Sequence, residues 1–381
     1  MACDRKRIVI FGSLKNLPED SRNNILIMAL EELGWDLASC IANWGFAGSN
    51  ARPVTKILTA LLYAPIRWLY LSVKYLFVRS SEIIYVPYSP HVDAWLACLL
   101  TRLGRRRIII DAFMGLYDTI VRDRRLVREG CFLARLIWMY EKYLLRSVDL
   151  VLVDTREHAV MLQQEFDLPK QRVVHIPVGI DEMLWQPTEY PSERNVFNVV
   201  FWTTFIPLHG VEVVAEAAKI LENESQNIRF LIIGNGQLGD RFGELLKTLK
   251  PGNLMWTDRF LPLEEIQKYV EKAHCCLGVF GKQLKTQRVI PYKVSQTTAS
   301  ARPLITARTD ATEQIFSDTV NALLVTPGDP EALAYAIKRL ADDREMAVSI
   351  GRNGREVYES RLSNRVIKNR LDQIIRRIEI Q

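Results

Sequence analysis

Apolar residues in this chain fall into two alternating patterns. Short unbroken runs occur at 7–11, 37–41, 83–87, 107–111, 150–154 and 173–178. Between them apolar positions recur every three or four residues, as at 21–33 and 91–103. A second series of runs follows at 198–205, 230–234, 254–257, 275–279, 303–306 and 322–325, with helical spacing at 211–221, 263–273 and 330–341. Two further helical segments, 349–359 and 364–380, close the chain. An unbroken apolar run suits a strand buried on both faces. Strands that alternate with helices imply parallel sheets covered on both sides. The expected fold class is therefore α/β, with two doubly wound, Rossmann-like domains at 1–180 and 195–360. The join, 179–194, holds Pro187 and Pro191 and has little periodicity. In open parallel sheets ligands sit beyond the carboxyl ends of the strands. Two sheets facing across a cleft would place the chemistry in the loops at those ends.

Composition narrows the class. A length of 381 residues fits two domains. The 48% hydrophobic and 25% charged content is that of an ordinary globular chain. Six cysteines are scattered without a C-x-x-C pair, so neither a zinc site nor a disulfide framework is indicated. The N-terminal residues enter a strand at once and lack the long apolar region of a signal peptide. A reducing cytoplasm is the expected location.

Charge changes the picture more. The formal net charge is +6, and residues 52–146 carry 16 Lys and Arg against 7 Asp and Glu. Residues 181–381 carry 26 of each sign and balance. Such a basic region points to an anionic partner: nucleic acid, a membrane surface or a phosphorylated substrate. If 124–146 is one helix, Arg124, Arg128, Arg135, Lys142 and Arg146 share one side, within roughly 40° of arc. Leu126, Leu133, Ile137, Tyr140 and Leu144 then take the other, and Gly130 is where the helix would break. Within 52–78, Lys56, Arg67 and Lys74 share a direction if the helix runs through Pro65. Proline and basic residues interrupt the apolar sequence there, which argues against a membrane span. Basic, aromatic amphipathic helices suit a membrane surface. A core helix with a solvated basic face is the other reading.

The stretch from Phe280 to Ala301 carries the clearest chemistry. The run 275–279 leads into a loop with Lys282, Lys285 and Arg288. Pro291 then opens a helix with Lys293 and Gln296 in its first turns. The free N–H groups and dipole of that end attract phosphate, and residues three apart share a face. Earlier, Phe205-Ile206-Pro207-Leu208-His209-Gly210 follows the first strand of the second domain, and Gly234-Asn235-Gly236 follows its second. Glycines there serve either close approach of backbone to a phosphate or a tight strand–helix turn. His209 is either a phosphate donor whose charge depends on pH or a loop histidine facing solvent. In the first domain, the loop 12–22 with Gly12 and Arg22, and the loop 111–119 with Asp111, Tyr117 and Asp118, follow strands. These meet a saccharide, or Asp20 is a helix cap and Asp118 part of a turn.

These segments resemble the retaining glycosyltransferases of family 4, on a branch with a P-L-H-G loop. The resemblance covers the second domain and the layout of the first. Its most specific parts are P-L-H-G at 207–210, R-V-I-P-Y-K at 288–293 and N-A-L-L-V-T-P-G-D-P-E-A-L-A at 321–334. It implies the GT-B fold, with a final helix, 361–381, packing back on the N-terminal domain. It also implies transfer from a nucleotide-diphosphate sugar with retention of configuration and with no metal or other cofactor. The expected acceptor is lipid-linked or membrane-associated, in polysaccharide or glycolipid assembly at the inner face of the cell membrane. Nucleic acid is not an expected partner. His209 stands where the family usually has a lysine near the donor diphosphate. Gln296 takes the second of two acidic positions, which binds the donor ribose, and Arg288 stands eight residues earlier in place of a carboxylate. The expected catalytic residues are His209, Arg288 and Lys293, acting on the leaving group. Gly210, Gly234, Gly236, Lys285, Tyr292, Gln296 and Glu313 are expected to bind donor. Gly12, Arg22, Asp111 and Asp118 are expected on the acceptor side. A nucleotide-sugar epimerase and a catalytically silent assembly subunit are the alternatives.

Overall fold

The computed structural model describes residues 7–14, 22–43, 53–78, 81–101, 106–224 and 227–380. Two compact units emerge: Met1–Gly179 with Ile367–Gln381, and Ile180–Val366.

The first unit is built on a six-stranded parallel sheet. Its strands are β1 (Arg7–Gly12), β2 (Asp36–Ile41), β3 (Ile83–Val86), β4 (Arg107–Asp111), β5 (Leu150–Val153) and β6 (Val173–His175), in the order β2-β1-β3-β4-β5-β6. Successive residues of a strand point to opposite faces. Ile8, Ile10, Ile109 and Leu152 pack against α1 (Arg22–Glu32), while Val9, Phe11, Ile110 and Val153 face the other way. That second face is covered by α2 (Pro53–Phe77), α3 (Asp93–Thr101), α4 (Phe132–Ser147) and α5 (Arg156–Phe166). Later helices belong to the second unit, except the last. From Ile367 onward that helix joins the first unit, setting Ile367, Leu371, Ile375 and Ile378 beside α1.

The second unit repeats the plan. Its strands are β7 (Phe197–Trp202), β8 (Ile228–Ile233), β9 (Leu254–Thr257), β10 (Cys275–Leu277), β11 (Leu304–Ala307) and β12 (Leu323–Val325). Their order is β12-β11-β10-β7-β8-β9, all parallel. One face carries α6 (Val211–Glu224) and α7 (Gly239–Leu249). The other carries α8 (Leu263–Glu271), α9 (Tyr292–Ala299) and α10 (Asp310–Ile315). Helices α11 (Pro330–Asp342) and α12 (Arg344–Val357) join α6 and α7, and α13 (Asn364–Ile380) is the helix that ends in the first unit. The order reverses between β7 and β10, the place where doubly wound sheets hold their ligands.

Two expectations from the sequence need correction. The basic stripe over 124–146 is not one helix. Gly130 adopts φ 79°, Cys131 caps α4, and Arg124 and Arg128 precede the helix. Helix α2 does run through Pro65, which lies on its exposed side. Its basic residues nevertheless share no solvated face: Arg67 is buried against Asp93, and Lys74 donates to the Ile41 carbonyl at 3.2 Å. The Lys56 side chain and residues 15–21 lie outside the described part. The segment 179–194, expected as the join, is packed in part against the second unit. Trp185 is fully buried and stacks on Trp202 at 6.0 Å, and Arg302 donates to the carbonyls of Thr188 and Glu189.

Candidate active site

Two loops meet beyond the carboxyl ends of β7 and β10. The first, 203–210, ends in a short turn over Pro207–His209 and then Gly210 at φ 63°. The second, 278–291, contains a short helical turn over Leu284–Arg288. Backbone bonds tie them together: Phe280 N donates to His209 O at 3.2 Å and Gly281 N to Leu208 O at 3.1 Å. A Cβ on Gly210 would lie 2.6 Å from the Phe280 carbonyl carbon, so only glycine permits this approach.

Helix α9 starts behind the second loop. Pro291 is its cap, and the helix itself opens at Tyr292, one residue later than the sequence suggests. Lys293 and Gln296 share a face, as expected from their spacing, and that face meets the end of β7. The Gln296 Oε1 accepts from Trp202 Nε1 at 3.1 Å. The Lys293 Nζ donates to Thr203 Oγ1 at 2.7 Å and lies 4.4 Å from the centre of the Phe201 ring. Lys293 is 5% exposed, and none of its partners is a carboxylate. Burial pushes its ammonium well below the usual lysine range.

His209 completes the group. Its Nδ1 lies within hydrogen-bond reach of Thr203 Oγ1 and 2.6 Å from the Thr204 carbonyl oxygen. A carbonyl oxygen only accepts, so Nδ1 carries the proton in the neutral ring and Nε2 holds the lone pair. Nε2 can therefore donate to an anion only from the imidazolium. Lys285 is buried and Arg288 half-buried in the turn beside His209. Tyr292 is half-buried among apolar residues. Thr203, which touches both Lys293 and His209, was missed by the sequence reading. Its one signal is position, directly after a strand at the reversal point.

Other expected donor residues sit differently. A Cβ on Gly234 would lie 1.9 Å from Thr203 O, and one on Gly236 would lie 2.8 Å from Phe205 N. These glycines let the loop after β8 press on the loop after β7. Glu313 is exposed and paired with Arg308 at 3.1 Å.

At the carboxyl ends of the first sheet, Arg22 and Asp111 form a buried pair at 2.7 Å. Arg22 also donates to the carbonyls of Ile176, Pro177 and Val153 at 2.7, 3.1 and 3.0 Å. Asp111 accepts from Phe113 N at 3.1 Å. Both side chains thus tie strand ends together. Gly12 packs against Asp93, whose carboxylate accepts from Ser13 Oγ and Arg67 Nε. Asp118 is buried at the start of a wide turn, 118–123. Around it lies a polar cluster absent from the sequence reading. Glu141 accepts from the N–H groups of Leu116 and Tyr117 at 2.6 and 2.7 Å, and His158 Nδ1 lies 2.8 Å from Asp154 Oδ1. Among the described residues no three His, Cys, Asp or Glu converge as metal ligands.

Comparison with known proteins bears on this geometry. Residues 197–343 match the family model described as glycosyl transferases group 1. The chain is 22% identical over 217 residues to the MMP alpha-(1->4)-mannosyltransferase of Mycolicibacterium hassiacum, covering 56% of this chain and 51% of that protein. It is 23% identical over 254 residues to the O-antigen chain mannosyltransferase C of Escherichia coli, covering 64% and 62%. The aligned regions thus span about half to two thirds of the length of these relatives. Sucrose-phosphate synthase from Thermosynechococcus elongatus superposes with a TM-score of 0.75 at 16% identity, over 99% of this chain and 100% of that one. That likeness is one of fold, and the fold is of the GT-B type.

Proposed function

We propose that this chain transfers a sugar from a nucleotide-diphosphate sugar to a saccharide acceptor, in the assembly of a polysaccharide or glycolipid. The acceptor is lipid-linked or membrane-associated, and configuration at the transferred carbon is retained. Lys293 carries the proposal: a buried ammonium without a carboxylate, at the reversal point of the sheet, inside the segment that matches the group 1 model. Such a cation is costly unless an anion completes it.

The residues have separable roles. Lys293, with Arg288 and Lys285 from the neighbouring turn, neutralises the diphosphate as it departs. Charge that develops on a leaving group is stabilised most by donors already fixed in place. Thr203 fixes the Lys293 ammonium, and His209 assists as the imidazolium. Tyr292 and Gln296 lie on the same helix toward the nucleoside, with Gly210 keeping the two loops closed. The mannosyltransferase and O-antigen relatives favour a hexose donor and a saccharide acceptor.

The basic residues take the place of a divalent cation in this reading. Release of nucleoside diphosphate from a panel of UDP- and GDP-sugars is therefore expected to need an acceptor and to survive EDTA. Activity lost in EDTA and restored by magnesium or manganese would remove the metal-free clamp. Conversion of the donor sugar without acceptor would favour an epimerase, and donor binding without turnover a silent subunit.

A further inference from the structure

Helices α2 and α4 each expose an apolar stripe in addition to the residues they bury against the sheet. On α2, Leu62, Ile66, Leu69, Val73 and Leu76 are all exposed. At 100° per residue they lie within about 80° of arc, while Arg67 and Leu71 point the opposite way into the unit. On α4, Phe132, Leu136, Met139 and Tyr143 are exposed and lie within about 60° of arc. Leu99 of α3, the helix in contact with both, is exposed as well. Phe77 and Leu76, at 83% and 80%, and Phe132, at 76%, are among the most exposed large apolar residues of the chain. An apolar face of this extent has a partner.

We infer that the outer face of α2, α3 and α4 docks on an anionic lipid surface and sinks its apolar stripe to the headgroup level. The charges select this occupant. Residues 53–77 contain no acidic residue, and 52–146 carry an excess of basic ones. Exposed Arg125 and Arg128 precede α4, and exposed Arg135 flanks its stripe. Two copies of such a face would repel each other, whereas anionic headgroups attract it. Tyr63, Tyr70 and Tyr143 give the face exposed rings with one apolar and one polar end, as the interface favours. Among the described residues no helix is long and apolar enough to cross a membrane, so α2 lies on the surface. The apolar stripe supplies the insertion, and the arginines supply attraction and salt sensitivity.

This inference rests on the sugar-transfer reading only for the location of the acceptor. Vesicle binding needs no turnover, so either reading can fail alone. The experiment is co-sedimentation of the full chain with phosphatidylglycerol-containing and with purely phosphatidylcholine vesicles, at low and high salt. Preferential binding to the anionic vesicles is expected, weakened by salt. The double variant L69D/L76D should lower that binding by at least about tenfold, since two exposed leucines no longer insert. Its melting temperature and its UDP or GDP affinity should match the parent chain. The pair R128E/R135E should mainly remove the preference for anionic vesicles and the salt dependence. Absence of vesicle binding, equal binding to both vesicle types, or binding untouched by L69D/L76D would overturn the inference. So would self-association that these substitutions abolish without any effect on vesicles, since a second copy would then cover the face.

Discussion

Replacing Lys293 by alanine is expected to lower turnover by about 10²-fold or more, as for loss of one preorganised donor to a developing charge. Truncation also opens space beside Phe201 and Thr203. Lys293→Met is therefore the sharper variant, because it keeps the stem and removes only the charge. It should lose turnover to the same extent yet melt at a higher temperature. The sign follows from burial. The folded-state value for Lys293 lies below the ordinary lysine value of 10.5, so the unfolded chain binds the extra proton between the two. Stability associated with this group therefore rises with pH across that window, and the cost of the buried charge is present below it. A bound diphosphate reverses the balance and favours the ammonium. Calorimetric titration of UDP or GDP should then show weaker binding by Lys293→Met than by the parent chain. Near-normal turnover in Lys293→Met would remove this residue from the leaving-group site.

The second large effect is structural. Arg22→Ala should destabilise the first unit by about 3–5 kcal/mol, the range for breaking a buried pair from one side. It strands Asp111, whose carboxyl burial pushes up against the pull of Arg22, and it leaves the carbonyls of Ile176 and Pro177 without the Arg22 donor, while Val153 O keeps only Ile176 N. A double variant, Arg22→Met with Asp111→Leu, should recover a large part of the loss, because no charge is left unpaired. Urea unfolding followed by intrinsic fluorescence reads both. A loss below about 1 kcal/mol in Arg22→Ala would show the pair to be dispensable.

The contrast between these two sites explains what the sequence discloses. Strands such as 107–111 and 150–153 are buried on both faces, so their apolar runs stand out and the alternation of the fold can be read from them. Lys293 and Gln296 were legible because spacing of three on a helix fixes a shared face whatever surrounds it. Their partners were not. Thr203 lies 90 residues from Lys293 in the chain and Trp202 lies 94 from Gln296, and no local pattern joins such positions. The same holds for Glu141, which binds backbone 24 and 25 residues away. Arg22 and Asp111 follow strand ends as saccharide-binding residues would, and no local pattern discloses that they pair with each other. The basic stripe failed for a backbone reason: one glycine at positive φ resets the helix, and the arginines before it lose their phase. On α2 the failure was of direction. Periodicity located two sides of the helix, but the side turned inward holds Arg67 and the side turned outward holds leucines.

In the proposed reaction a sugar is transferred with retention at the site around Lys293. Proton NMR of the reaction tests it most directly, with a nucleotide sugar of defined anomeric configuration and a lipid-linked saccharide acceptor. A new anomeric signal with the configuration of the donor is expected. That signal should appear only with acceptor present, at the rate at which nucleoside diphosphate is released. An inverted product, or a donor sugar that changes without acceptor, would contradict it.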